Sequence, residues 1–113
     1  MIRHDRVLSA LGMAARARKI ADGGFSAEKS VKSGRACLVV LAADASENTR
    51  KQFQDMCSYY HVPVRIYGEK ETLGHAIGKE LRSVIAVLDP GFANAIEKQI
   101  KQMEQTEAVE WQK

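Results

Sequence analysis

The residues best suited to chemistry are gathered between Lys19 and Arg35, in the stretch KIADGGFSAEKSVKSGR. Two glycines, Gly23 and Gly24, precede Phe25 and Ser26. Lys29 and Lys32 follow three positions apart, and Arg35 closes the run. The first amides of a helix have no partner inside the helix, and the aligned peptide dipoles place about half a positive charge there. Glycines, lacking Cβ, would let a bulky sugar–phosphate chain approach those amides. With Ala27 and Val31 turned inward, Lys29 and Lys32 point to the other side, where ammonium groups could hold the same anion. Glu28, between them, suits the dipole but opposes an incoming phosphate. A solvated helix face is the default reading of an isolated lysine pair, and taken alone the pattern favours it; the basic pI and the arginines nearby narrow that gap without closing it.

The other chemical constellations are weaker. His4, His61 and His75 are far apart, and none neighbours a Ser or Cys in a nucleophile context, so no enzyme signature is present. The segment GHAIGKE has three residues between its glycines where a phosphate loop needs four, and Glu80 stands where that motif has Ser or Thr. It reads as a helix interrupted by glycine. Tyr59, Tyr60 and Tyr67 do not form an alternating aromatic ribbon, and aromatics are only 6% of the chain, which argues against a stacking platform. Cys37 and Cys57 are neither a C-x-x-C pair nor at ligand spacing from a histidine. They read as two reduced, buried thiols, with no metal and no cofactor expected.

The bulk properties limit the partners. A chain of 113 residues that is 45% apolar makes one domain with one core. No apolar segment approaches the ~20 residues that span a bilayer, so no membrane partner is expected. The net charge of +3 is unevenly spread: Arg3, Arg6, Arg16, Arg18, Lys19, Lys29, Lys32 and Arg35 lie in the first third, opposed by Asp5, Asp22 and Glu28. The tail carries Glu104, Glu107 and Glu110. The positive end is therefore the end with the glycine-led helix, as a nucleic-acid partner would require. The basic N-terminus contains Asp5 and runs into the fold without a cleavage-like segment, so it reads as a structural helix of a cytoplasmic protein.

The elements that must position these residues alternate. Val7, Leu8, Leu11 and Ala15 predict a first helix, KIAD a short strand, and SAEKSVKSG a short helix capped by Ser26 and stopped at Gly34. ACLVVLA reads as a strand covered on both faces. Phe53, Met56, Cys57 and Tyr60 form the stripe of a long helix capped by Asp44 or Ser46. VPVRIYG is a strand, EKETLGHAIGKEL a helix broken near Gly78, and SVIAVLD the last strand. A final helix opens at Pro90 and packs through Phe92, Ile96, Ile100 and Met103. Residues 104–113 read as a fraying polar tail beyond a single domain of residues 1–103. This order predicts a three-layer α/β/α sandwich around a small mixed sheet of about four strands.

Taken together, GGFSAEKSVKSG, ACLVVLAADAS, VPVRIYG, ETLGHAIGKEL and SVIAVLD resemble the family of small ribosomal and ribonucleoprotein components that bind kink-turn RNA, in its bacterial YlxQ-like branch. The resemblance runs collinearly from about Val7 to Ile100 and implies the same sandwich. It implies that the glycine-led helix enters the groove of a kink-turn, where an Asn–Glu pair reads sheared G·A pairs and a Lys one turn later holds a phosphate or guanine. Lys29 matches the lysine, whereas Phe25 and Ser26 occupy the Asn and Glu positions. Phe25 cannot hydrogen-bond a base edge, and Ser26 is a weaker partner than a carboxylate. A second contact loop corresponds to GKELRS, which makes Lys79, Leu81 and Arg82 contact candidates, with Arg82 adding charge. The expectation is thus a monomeric, non-catalytic protein that binds ribosomal or other structured RNA. Gly23 and Gly24 would admit the backbone, Lys29 would anchor it, and Lys32 and Arg35 would add electrostatic support. A protein-interaction module that kept the fold but lost the RNA contacts is the rival, with Phe25 as its natural anchor. A small-ligand domain built on GHAIGKE is a more distant one.

Overall fold

The computed structural model describes residues 5–111, with side chains for residues 5–104. The expectations placed on Arg3, His4 and the side chains of Glu107, Glu110 and Trp111 lie outside the described residues. The elements follow in the order α1 (Arg6–Arg16), β1 (Ile20–Asp22), α2 (Gly24–Lys32), β2 (Leu38–Leu41), α3 (Glu47–Tyr60), β3 (Val64–Ile66), α4 (Lys70–Ala76), β4 (Val84–Val87) and α5 (Pro90–Trp111). The strands form one mixed sheet in the order β1-β4-β2-β3. β4 pairs antiparallel with β1 and β2, and β2 pairs parallel with β3.

The two central strands explain why their sequences read as unbroken apolar runs. All four residues of β2 and all four of β4 are buried. Successive side chains on a strand point to opposite faces, and here each face is covered. Leu38, Val40, Ile85 and Val87 pack with Val7, Leu11, Leu73, Ile96 and Ile100 of α1, α4 and α5. Val39, Leu41, Val84 and Ala86 pack with Ala27, Val31, Phe53 and Cys57 of α2 and α3. The result is the expected α/β/α sandwich, with two clusters separated by the sheet.

Several local expectations change. On α1 the buried residues are Val7, Leu11, Gly12 and Ala14, whereas Leu8 and Ala15 are half-buried. The stripe on α3 narrows to Phe53 and Cys57; Tyr60 is 40% exposed, its ring set edge-on against Tyr59. Only Cys57 is a buried thiol, and burial pushes its pKa up to about 11; Cys37 is half-buried. The boundary expected after Met103 falls inside α5, which continues to Trp111. The segment MEQTEAVEW contains neither Gly nor Pro and several good helix formers, so nothing in it ends the helix.

Candidate nucleic-acid interface

The glycine-led helix begins earlier than its Ser suggested. Gly23 is the N-cap of α2, with φ +88° and ψ 160°, a backbone conformation that side-chain-bearing residues rarely adopt. Ser26, expected to cap, lies inside the first turn instead. Gly23 allows the chain to leave β1 and turn directly into α2, so the cap must be glycine and no side-chain oxygen is available there. The Gly23 amide is not free: it donates to the Val84 carbonyl at 3.0 Å, extending the β1–β4 ladder by one residue. The Gly23 carbonyl accepts from Ala27. That leaves the amides of Gly24, Phe25 and Ser26 without a capping side chain. A Cβ on Gly23 or Gly24 would meet nothing within 4 Å, so both glycines face open space on the side a Cβ would occupy.

The side chains of this tip divide into free and engaged groups. Ala27, Ser30 and Val31 are buried, which turns Lys29 outward as the periodicity predicts. Phe25 is 84% exposed, the most exposed large apolar side chain described. Lys32 pairs with Glu28 at 2.8 Å, and Glu28 also accepts from Gln52 at 3.4 Å. The hydrogen bond and charge of Glu28 hold the Lys32 ammonium above its ordinary pKa. Lys32 therefore presents a largely neutralised charge, whereas Lys29 has no partner among the described residues. Arg35 is exposed past the C-terminal end of α2, beyond Gly34.

The second candidate segment is a loop that doubles back along α4. After Ala76 the chain turns, the Lys79 amide donates to the Gly74 carbonyl at 2.8 Å, and the Arg82 amide donates to the Lys70 carbonyl at 3.0 Å. Gly74 makes this return possible, since a Cβ there would sit 1.5 Å from the Glu80 carbonyl oxygen. The GHAIGKE segment is thus a structural device for packing backbone on backbone. Lys79 is exposed, and Leu81 is 58% exposed.

Arg82 differs from the free cation expected. Its Nε donates to Asp22 Oδ2 at 2.6 Å and its Nη1 donates to the Leu81 carbonyl at 2.8 Å. Asp22 directly precedes Gly23, so this ion pair ties the loop to the root of the α2 tip. The two segments, about 60 residues apart in sequence, therefore share one end of the sheet. Asp22 was not legible as a site residue, because nothing local to it announces a partner that distant. Its one signal is a lone acid placed beside the glycine pair in a basic region.

Among the described residues, no three His, Cys, Asp or Glu side chains come together as a metal site, and no helix is long and apolar enough to cross a membrane. The surface carries shallow depressions, one of which, about 330 Å³, lies between α1 and the start of the α4–β4 loop at Ile77 and Gly78. Another, of about 550 Å³, is lined by Val62, Val64 and Ile66 with Gln54 and Glu104, on the far edge strand.

Residues 5–97, nearly all of the sandwich, match the model of the ribosomal protein L7Ae/L30e/S12e/Gadd45 family. The chain belongs to this family. Among its relatives, the RNA-binding protein YlxQ of Bacillus subtilis is 48% identical over 86 residues, covering 76% of this chain and 86% of that protein. The large ribosomal subunit protein eL30 of Methanoregula boonei is 34% identical over 76 residues, covering 66% of this chain and 75% of that protein. A solved structure, the 15.5kD RNA binding protein of Giardia lamblia, superimposes with a TM-score of 0.74 at 25% identity, covering 88% of this chain and 86% of that one. Membership in the L7Ae/L30e family accounts for the sandwich and for the collinear order of its motifs.

Proposed function

We propose that this protein is a non-catalytic, ribosome-associated RNA-binding protein whose contact surface joins the α2 tip to the loop between α4 and β4. The observation that carries the reading is the open tip of α2. Three uncapped amides, two glycines that face open space on their Cβ side and the unpartnered Lys29 all occur at one end of a basic region. The names of the relatives supply the polyanion that this surface suits: the Bacillus subtilis and Giardia lamblia proteins are named as RNA-binding, and the eL30 protein as ribosomal.

In this reading, the RNA backbone lies over Gly23 and Gly24 and accepts hydrogen bonds from the amides of Gly24, Phe25 and Ser26. Lys29 anchors a phosphate, and Lys79 and Leu81 touch a second part of the RNA. Lys32 and Arg35 act at longer range, Lys32 weakly because Glu28 offsets it. Contacts of this kind fix position, and base contacts supply sequence discrimination. Phe25 and Ser26 stand where the family resemblance calls for Asn and Glu, so the favoured target is a structured RNA, kink-turns included, held mainly through its backbone. The protein acts as a cytoplasmic monomer.

The test is a salt titration of binding to a synthetic internal-loop RNA flanked by two stems. Lys29→Ala should weaken binding by about 1–2 kcal/mol and flatten the dependence of log K on log salt by about one unit. Unchanged affinity across the series would remove Lys29 from the site. A protein-binding module is the second reading, favoured by the exposure of Phe25. It predicts that Phe25→Ala leaves RNA binding intact and abolishes association with a protein partner in nuclease-treated extract.

A further inference from the structure

We infer that Arg82 is a positioning residue: clasped to Asp22, it holds the α2 tip and the α4–β4 loop at the spacing the RNA needs, and it does not itself take a phosphate. The inference rests on the proposed RNA-binding reading and concerns how that surface is assembled.

The guanidinium is directed inward by two bonds. Nε reaches Asp22 Oδ2 at 2.6 Å, and Nη1 reaches the Leu81 carbonyl at 2.8 Å. The first bond crosses between the two contact segments; the second fixes the peptide of Leu81, whose side chain is thereby presented outward and is 58% exposed. A planar guanidinium offers its donors in a rigid fork, so bonds to two acceptors set its orientation in a way an ammonium cannot reproduce. The pair is 31% and 26% exposed, which shields it from solvent more than a surface ion pair. The neighbouring Gly23–Val84 bond, at 3.0 Å, ties the same two segments through the backbone. Asp22 cancels the charge of Arg82, so the pair adds little attraction for a polyanion.

Positioning and direct contact make opposite predictions for Asp22. If Arg82 were a phosphate ligand restrained by Asp22, removing the carboxylate would free a cation and tighten binding. If the pair is a clasp, removing either member loosens both segments and weakens binding. Because the two residues then act as one unit, the double variant should be no worse than the weaker single variant.

The experiment uses the full chain and five proteins: wild type, Asp22→Ala, Arg82→Gln, the double variant, and Arg82→Lys. Each is titrated against the internal-loop RNA and against a fully paired control of the same length, over a salt series, with dissociation followed by stopped flow. Melting curves establish that every variant is folded at the assay temperature. The expected result is a loss of about tenfold for each single variant, seen in faster dissociation, with the salt slope unchanged and no further loss in the double variant. Arg82→Lys, which keeps the charge but cannot make both bonds, should lose nearly as much as Arg82→Gln. It is also the variant that decides the matter if Asp22→Ala or Arg82→Gln is unfolded. A purely architectural role would lower the melting temperature and leave the affinity of the folded protein unchanged, which overturns the inference. Tighter binding by Asp22→Ala, a salt slope reduced by about one in Arg82→Gln, or full binding by Arg82→Lys would each overturn it as well. If wild type itself bound neither RNA, the RNA-binding reading would fall and take the clasp's purpose with it.

Discussion

The helices α1, α3, α4 and α5 begin against an oxygen from a side chain, and α2 begins against open space. On α1, Asp5 accepts from the Leu8 amide at 2.9 Å; on α3, Ser46 accepts from Thr49 at 3.1 Å; on α5, Asp89 accepts from Phe92 at 3.0 Å. The Lys70 amide that opens α4 donates to Asp44 at 2.8 Å. Caps of this kind each stabilise a protein by about 1 kcal/mol. On α2 the Gly23 cap supplies no side-chain oxygen, at a cost of a few tenths of a kcal/mol, and the helix buries Ala27, Ser30 and Val31. The difference teaches which helix terminus the fold leaves without a side-chain acceptor. The capped termini have first-turn amides satisfied by side chains within the fold, whereas on α2 the amides of Gly24, Phe25 and Ser26 have no capping side chain.

The contrast can be broken most severely through the loop beside the open tip. Gly74→Ala places a Cβ 1.5 Å from the Glu80 carbonyl oxygen, so backbone must move. We expect a loss of more than about 3 kcal/mol in chemical denaturation, with loss of RNA binding in whatever protein remains folded. If the open tip binds RNA, Lys29→Ala comes next, costing about 1–2 kcal/mol of affinity with little change in melting temperature. A capped terminus should behave the other way round. Ser46→Ala is expected to lower stability by about 1 kcal/mol and leave RNA affinity unchanged, as measured by denaturation and binding on the same preparation. The smallest effect is expected for Lys32→Ala. Because Glu28 already neutralises Lys32, its salt slope should shift by well under the unit expected for Lys29, and a full unit would show that RNA breaks the Glu28 pair.

Much of the architecture was legible in the chain. The all-apolar runs of β2 and β4 predicted strands covered on both faces, and alternation with amphipathic helices predicted the sandwich. Helix starts were readable where a short polar residue precedes a periodic run, as at Ser46. They were misread at Ser26, because a glycine with positive φ can begin a helix one turn earlier and leaves no polar residue to mark it. The geometry of the candidate site was legible in part from local periodicity. Lys29 faces outward because Ala27 and Val31 face inward, and that is a matter of helical period. The engagement of Lys32 by Glu28 is an i,i+4 pair and could have been read locally.

By itself the sequence determined which residues alternate between core and solvent, and that basic residues crowd the first third of the chain. Those properties depend on local periodicity and on side-chain chemistry. Only the tertiary structure decided that the Gly23 amide is consumed by Val84, that Gly74 lets a loop return along α4, and that Arg82 turns inward to Asp22. The Gly23–Val84 and Arg82–Asp22 contacts join segments distant along the chain and arise only when the β1–β4 pairing brings them to the same end of the sheet, whereas the Gly74 return is a short-range contact set by how closely the α4–β4 loop packs on its own helix.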